Sequence, residues 1–443
     1  MARFRHSPRP GAPRRVRGIV LITALMLITG MAALISVSLT RSMTEVRAAN
    51  AFAASQQAFH QAEGGLDVGL HWLATRGAPP SCAANDPTCS VLDQTLALPT
   101  GTQQITIKPS TQNATSYVDN FTVSTTSSSS GTTITKQLNL MVHVESFARY
   151  AYFSNHEKSA GGQTIWFASG GVIEGPLHSN DQLHIAGTPT FKGPVSSVAT
   201  TLDYLNGGPP NDKPDFQDTL KLGADAIQLP NPDLTELKAA SSLVLKGDTT
   251  VKFNGNWIQV TNNNVTSVVQ VKDCPALFVD GGNLTVAGGT LDGQMTVATN
   301  QSISITDSVI YKCDPTQGKA DPDCINSDGV VAYDDDVLGM VAKQDVTVSK
   351  KAPNDVTIHA TMMAIQGSFG VENYNVNKKG TLTILGGILQ DTRGAVGTFS
   401  GSTTVSGYQK SYHYDTRLLN MSPPYYPTIG KYQTVLWQDS SNH

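Results

Sequence analysis

Residues 17–40 read RGIVLITALMLITGMAALISVSLT, and the apolar run within them, Ile19 to Leu39, carries no charge. Its 21 residues would span about 31 Å as a helix rising ~1.5 Å per residue, enough to cross a hydrocarbon core of roughly 30 Å. The leader before it, residues 1–18, holds Arg3, Arg5, Arg9, Arg14, Arg15 and Arg17 and no acid. Basic flanks stay cytoplasmic, so the rest of the chain is expected on the far side of the membrane. A cleaved secretory signal predicts a shorter apolar core of ~7–15 residues closed by an A-x-A-like site. Here the run is longer and the next segment remains helix-prone. A plain single-pass anchor also satisfies the apolar run taken alone.

Working outward, Phe52, Phe59, Leu66 and Leu73 recur at seven-residue spacing, with Val46, Ala49, Ala53 and Ala62 beside them. That stripe predicts an amphipathic helix from Val46 to Trp72, stopped by Gly77 and Pro79-Pro80. It is expected to dock on a sheet of its own chain and on neighbouring helices. Gly30, Gly64, Gly65 and Gly69 each weaken a helix by ~1 kcal/mol relative to Ala. In lipid Gly30 permits close approach of another helix.

Arg17-Gly18, the apolar block, the Arg41…Glu45 charge break and Ala58-Phe59…Ala62-Glu63-Gly64-Gly65-Leu66 resemble the N-terminal region of the PilX family of minor pilins, over about residues 14–75. The resemblance implies cleavage by prepilin peptidase after Gly18, leaving Ile19 as the mature N-terminus. Mature position five is then Thr23, where major pilins carry Glu. A carboxylate there would pair with a neighbouring subunit's amine, and is costly in lipid when unpaired. A subunit with Thr23 avoids that cost and forgoes the pair, which suits a filament tip or initiation complex better than a shaft. The K-type pseudopilin of type II secretion shares the feature, so pilus and secretion system both stay open. Implied partners are other pilins, inner-membrane pilus assembly proteins and prepilin peptidase. The implied location is the bacterial inner membrane, single-pass with the C-terminal part exported, and then the pilus or cell surface.

Charged residues make up only 15% of the chain and the net charge is −4. With the basic residues gathered in the leader, no basic, aromatic-interleaved groove is expected and no nucleic-acid partner is argued. The cysteines fall as two close pairs and a singleton. In an exported chain Cys82–Cys89 and Cys313–Cys324 read as local disulfides, each contributing roughly 2–3 kcal/mol, with Cys274 left as a small buried apolar residue. Zinc is the rival reading for these residues; there is no C-x-x-C and no histidine near either pair, so neither metal nor cofactor is called.

Residues 101–148 alternate as strands, QITIKPS, SYVDNFTVSTTS and TTITKQLNLMVHVES, with a hairpin at the serine-rich break 127–131. From about 150 onward short apolar pairs recur, among them Val172/Ile173, Leu277/Val279, Met295/Val297, Val346/Val348 and Leu382/Ile384, separated by Gly- and Asn-rich corners. The fold class expected is α+β: a long N-terminal helix with a small antiparallel sheet, then a large mainly-β domain in which a parallel β-solenoid is favoured over a sandwich. The domain bounds are 1–18 leader, 19–77 helix, 78–150 small β region and 151–443 large β domain, with a proline-rich insertion at 200–245.

The strings GGVIEGPLHSNDQLHIAGTPTFKGPV, DDDVLGMVAKQDVTV and GYQKSYHYDTRLLNMSPPYYP, within residues 150–437, resemble the large domain carried by PilX-type N-termini and by uncharacterised bacterial envelope proteins. That resemblance implies structural roles and no catalysis for Gly175, Pro176, His178, Asn180, Gly339, Gly386, Tyr414, Asp415, Arg417, Pro423 and Pro424.

Four constellations bear on chemistry. His178-Ser179-Asn180-Asp181 with His184 lacks a nucleophile elbow and reads as a polar ladder along a strand, with a ligand site as the alternative. Asp334-Asp335-Asp336 reads as a solvated acidic turn, or as a calcium site if it chelates. Asp415 and Arg417 lie on one strand face and are expected to pair. Glu157 and Glu174 would serve as glycosidase carboxylates only if they converged on a cleft, and Trp166, Phe167, Tyr425 and Tyr426 could line a surface- or carbohydrate-binding patch. The function expected is that of a minor pilin or pilin-like subunit, not an enzyme, acting in filament initiation or at the tip, with a surface or carbohydrate ligand as a further partner. The alternative is a membrane-anchored β-solenoid enzyme or binding module acting on polysaccharide.

Overall fold

The computed structural model describes residues 17–75, 90–109, 120–129, 134–313, 324, 336–400 and 403–440. Helix α1, Arg17–Ala74, runs unbroken from the basic flank through the apolar run and past the Arg41…Glu45 charge break. Its residues are exposed from Ile19 to Ala53, and burial begins at Ala54. It is the one described helix long and apolar enough to cross a membrane. The two threonine hydroxyls within the apolar run are spent internally: Thr23 donates to the Ile19 carbonyl at 3.0 Å and Thr29 to that of Leu25 at 2.9 Å.

Strands β1 Leu92–Leu98, β2 Gly101–Pro109, β3 Asn120–Ser129 and β4 Thr135–Ser146 pair antiparallel in that order. The fifth strand comes from the other end of the chain. Thr428–Asp439 pairs antiparallel with β4, setting Thr428 opposite Ser146 and Trp437 opposite Leu140. Alternation in the sequence extends the large β domain to residue 443; backbone pairing instead carries 428–439 back to the small sheet. Period-two patterning turns Ile107, Phe121, Val123, Leu138, Leu140, Val142 and Val144 onto one face, where they pack with α1.

The face of α1 that meets them overlaps the seven-residue stripe only in part. Phe52 is 67% exposed, and the buried line is Ala54, Ala58, Ala62, Leu66, Gly69 and Leu73, spaced three and four apart, with Gly65 beside Leu66. Close approach explains the choice of small residues. A Cβ on Gly69 would lie 2.5 Å from Val123 Cγ1, so a larger residue there would push the helix off the sheet. Leu66 and Leu73 belong to both lines; Phe59 ends half-buried against Trp437 at the sheet edge.

Between residues 150 and 413 the short apolar pairs form parallel strands stacked in register. One ladder passes, neighbour to neighbour, through Leu220–Leu222, Val195–Ser197, Leu177–Ser179, β5 Tyr152–His156, Lys378–Thr392, Val356–Ala364, Val337–Ala342, Gln294–Thr299, Ala276–Asp280 and Leu243–Lys246. Its inward column is Leu220, Val195, Leu177, Tyr152, Ile388, Met362, Met340, Val297, Leu277 and Leu243. Apart from the two end residues, all are buried in one cluster. A second ladder joins Thr249–Gly255, Leu284–Leu291, Ile303–Ile305, Val346–Val348 and Phe369–Val371.

Residue numbers along the first ladder reveal an unusual path. The chain enters at β5, in mid-ladder, and steps outward to Leu222. It then crosses back outside the ladder through 223–242, which includes helix α2 Thr235–Ala240, and restarts at Leu243 at the far end. From there it steps inward until Lys378–Thr392 lies parallel beside β5. The domain is therefore two runs, 152–222 and 243–413, that meet at one seam. The expected insertion 200–245 divides accordingly: Asp203–Tyr204, Asp215–Phe216 and Leu220–Leu222 join ladders, and only 223–242 leaves them.

Alternation also produces an outward column: His178, Phe153, Leu389, Met363, Val341, Ala298 and Phe278. An outward apolar column needs a cover. The crossover supplies Ile227, Leu234 and Leu237, and a strap at 414–427 supplies Tyr414, Leu418 and Tyr426, which together form a second core.

The contrast between two glycines of α1 tests the helix–sheet contact. Gly64 faces open space and Gly69 faces Val123. Gly64→Ala should raise stability by up to ~1 kcal/mol through helix propensity. Gly69→Ala should lower it, because an inserted methyl in a packed contact costs ~1–3 kcal/mol and outweighs that gain. Urea melts of the full-length protein in detergent compare the two; equal effects would contradict the docking.

Candidate functional site

The seam is built where β5 and Lys378–Thr392 lie side by side, Tyr152 opposite Ile388 and His156 opposite Thr392. Just beyond both strand ends Glu157 and Arg393 meet in the interior, Nη1 to Oε2 2.8 Å, with the carboxylate side chain fully buried and the guanidinium 7% exposed. Ions so placed are costly unless paired and hydrogen-bonded on every side. Glu157 also accepts from Ser154, and Ser179 Oγ lies 3.5 Å away. Arg393 donates to the Ile165 carbonyl at 2.9 Å and lies 3.9 Å from the Phe167 ring centre. Burial opposes its charge, but Tyr152 and Glu157 outweigh that and hold the guanidinium above its ordinary pKa.

Outside the ladder the seam is closed by polar pairs. Asn155 Nδ2 donates to Asp391 Oδ1 at 2.8 Å. Glu174 of the first run accepts from His413 of the second at 3.1 Å and from Lys192 at 3.0 Å. Burial alone would raise the Glu174 pKa; those hydrogen bonds outweigh it and hold it below the usual value. Glu157 and Glu174 thus do not converge. One is sealed in the interior and the other sits on the outside of the seam.

His178 falls in the outward column directly after Phe153, on which its ring stacks with centres 5.5 Å apart. Its Nε2 donates to Asn180 Oδ1 at 3.0 Å, its Nδ1 meets the Ser196 hydroxyl at 2.8 Å, and burial lowers its pKa. Asn180 acts as a strand partner for the crossover: Oδ1 accepts the Ile227 N–H at 2.9 Å and Nδ2 donates back to the Ile227 carbonyl at 2.6 Å. His184 is one strand away, its Nδ1 2.7 Å from Asp203, and Asp181 accepts the Glu157 N–H at 3.0 Å. The residues of the His178–His184 stretch therefore serve separate contacts and do not converge on one site.

The C-terminal motif explains several glycines. The Tyr414 ring lies on Gly175, where a Cβ would collide with it, and its hydroxyl donates to the Arg149 carbonyl at 2.7 Å. Tyr426 and Pro423 lie over Gly339 in the same way. Pro424 offers its carbonyl to Thr296, and Pro176 offers its own to the Ala151 N–H at 2.9 Å. Gly386 takes φ +141, and a Cβ there would strike the Ala360 carbonyl. Asp415 and Arg417 pair at 2.7 Å, but on a short 3-10 turn, Thr416–Leu419, whose cap is Asp415, rather than on a strand. Arg417 reaches on to the Asp336 carbonyl at 3.0 Å.

Cys313 and Cys324 are disulfide-bonded and Cys274 is buried and unbonded, its thiol pushed up to about 11 by burial. Cys82 and Cys89 lie outside the described residues, as do Asp334 and Asp335. The Asp336 carboxylate accepts the Gly293 and Cys313 N–H groups at 2.6 and 2.9 Å. Among the described residues no three His, Cys, Asp or Glu side chains converge as a metal would require. Phe167 and Tyr426 are buried and Trp166 packs edge-on against His184 at 5.5 Å, so those aromatics form no common exposed patch with Tyr425. Arg393 and the crossover anchor at Ile227 carry no local motif.

Residues 114–200 match the family model described as "Domain of unknown function (DUF4900)". That span straddles the junction of the small sheet and the first run. Among solved structures, the competence-associated pilin ComZ from Thermus thermophilus aligns over 88% of this chain and 98% of that one, at 10% identity and a TM-score of 0.34. A likeness that loose carries no argument about fold or function. No curated protein matches the sequence.

Removing one member of the buried pair should open the seam. Glu157→Ala should cost ~3–5 kcal/mol, whereas the double change Glu157→Leu with Arg393→Met should cost far less, since apolar replacement of both ions is often neutral. Denaturant titration reads both, and a Glu157→Ala loss below ~1 kcal/mol would show that the pair does not hold the runs together.

Proposed function

We propose that this chain is a membrane-anchored, pilin-like assembly subunit, a minor pilin of a type IV pilus or its counterpart in a related secretion system, acting at a filament tip or in initiation. One observation carries the reading: a single helix changes environment along its length. Through residue 53 it is bare and apolar over the span of a membrane, and from Ala54 to Leu73 it is buried on an antiparallel sheet. An anchor alone requires only the first part. The second ties the membrane helix rigidly to the exported structure, as a subunit drawn out of the membrane into a helical bundle needs. Gly18 lies at the start of that helix, next to Ile19, where prepilin peptidase would cut.

In this reading the parallel ladders coil as a β-solenoid, displayed on the small sheet as a scaffold that meets other subunits or a surface. The polar clusters of the large domain support a scaffold over a polysaccharide-acting enzyme, because Glu157, Asn180, Asp336 and Asp415 are committed to ion-pair or backbone partners and His178 to the Ser196 and Asn180 side chains. Thr23, its hydroxyl turned back onto the helix, offers no carboxylate to a neighbour's amine and supports a position off the shaft. Partners are then other pilins, the inner-membrane assembly proteins and prepilin peptidase, and the location is the inner membrane followed by the pilus or cell surface.

Processing decides between subunit and simple anchor. Mass spectrometry of the N-terminal peptide from the assembled protein should find Ile19 first, N-methylated, and Gly18→Arg should abolish the cut. Residues 1–18 still attached to functional protein would leave only the anchor.

A further inference from the structure

The far end of the second run carries a hairpin that continues past the stack. Trp257–Asn262 is bonded to Thr249–Gly255 on one side and to Val265–Gln270 on the other, through a turn in which Asn263 and Asn264 both take positive φ. Val265–Gln270 pairs with Trp257–Asn262 alone among the described strands. Val265 and Val268 are 68% and 60% exposed. From Thr261 to Val271, TNNNVTSVVQV, there is no charge, no proline and no glycine, and the pairing has no bulge. Edges that stay solitary usually carry one of these features.

We propose that Val265–Gln270 is an edge through which two copies of this chain pair. The strand is its own complement. Antiparallel pairing about Ser267 sets Val265 opposite Val269, Thr266 opposite Val268, and Ser267 opposite its own copy. β-branched meets β-branched and hydroxyl meets hydroxyl, with no like charges to repel. A peptide of unrelated sequence finds no such match along this strand and no charge to steer it. The resulting two-fold contact closes on itself, which uses up the edge and stops growth. The inference is independent of the pilin reading.

Register-specific cross-linking of the full-length protein in detergent tests it. Across an antiparallel pair the Cα atoms are about 4.5–5.5 Å apart, within disulfide range of about 4.4–6.8 Å. Ser267→Cys should therefore give mostly dimer on mild oxidation, with the bond mapped to that position. Val265→Cys should stay monomeric, since its copy lies ~13 Å along the strand at ~3.4 Å per residue. The double change Val265→Cys with Val269→Cys should restore the dimer, and adding Val268→Lys to Ser267→Cys should reduce it severalfold with circular dichroism unchanged. Monomer from Ser267→Cys, or equal cross-linking of both single variants, would overturn the proposal.

Discussion

The antiparallel pairing of Thr428–Asp439 with β4 constrains everything between them. It places Thr428 opposite Ser146, and the Phe147 N–H donates to the Pro427 carbonyl at 3.0 Å, so the chain must leave and return at one point. A stack of parallel strands that coiled in one direction would leave its ends a full stack apart. The observed path solves this by starting in mid-ladder, running out, crossing outside, and running back in to meet itself. The seam, the crossover and the strap all follow from that one closure.

Each consequence carries its own chemistry. Meeting mid-ladder requires β5 to accept Lys378–Thr392 as though it were the next strand of the same run, and the inward column passes from Ile388 to Tyr152 without a polar break. The closure is then pinned by Glu157 and Arg393, whose burial makes the pair expensive to break rather than cheap to form. Crossover and strap both run on the outside and would leave an apolar face uncovered if displaced. Asn180 and Tyr414, neither of them in the interior of the ladder, hold them in place.

Sequence periodicity made much of this legible, and its failures have physical causes. The uncharged run Ile19–Leu39 and the short apolar pairs announce a membrane-length helix and a strand-rich domain, because both patterns are local. The stripe's Phe59, Ala62, Leu66 and Leu73 do meet the sheet, but Ala54, Ala58, Gly65 and Gly69 escape a search for large apolar residues, because a helix pressed close to a sheet selects Ala and Gly. The return of 428–439 to the small sheet cannot be read from alternation, since a strand looks the same whichever sheet receives it. Asp415 and Arg417 were close enough in sequence to be paired, but their spacing does not distinguish a strand face from a capped turn. Glu157 and Arg393 are too far apart in sequence for any local rule to join them.

For the proposed role the closure means that the displayed domain is held at two chain crossings onto a sheet packed against the membrane helix. Native-state hydrogen exchange on the full-length protein tests this most directly. The account predicts that those amides of Tyr432–Asp439 that point toward β4 are protected together with those of β4 and of the Ala54–Leu73 part of α1, as one cooperative unit. A C-terminal segment that exchanges as fast as an untethered tail, while β4 stays protected, would contradict it.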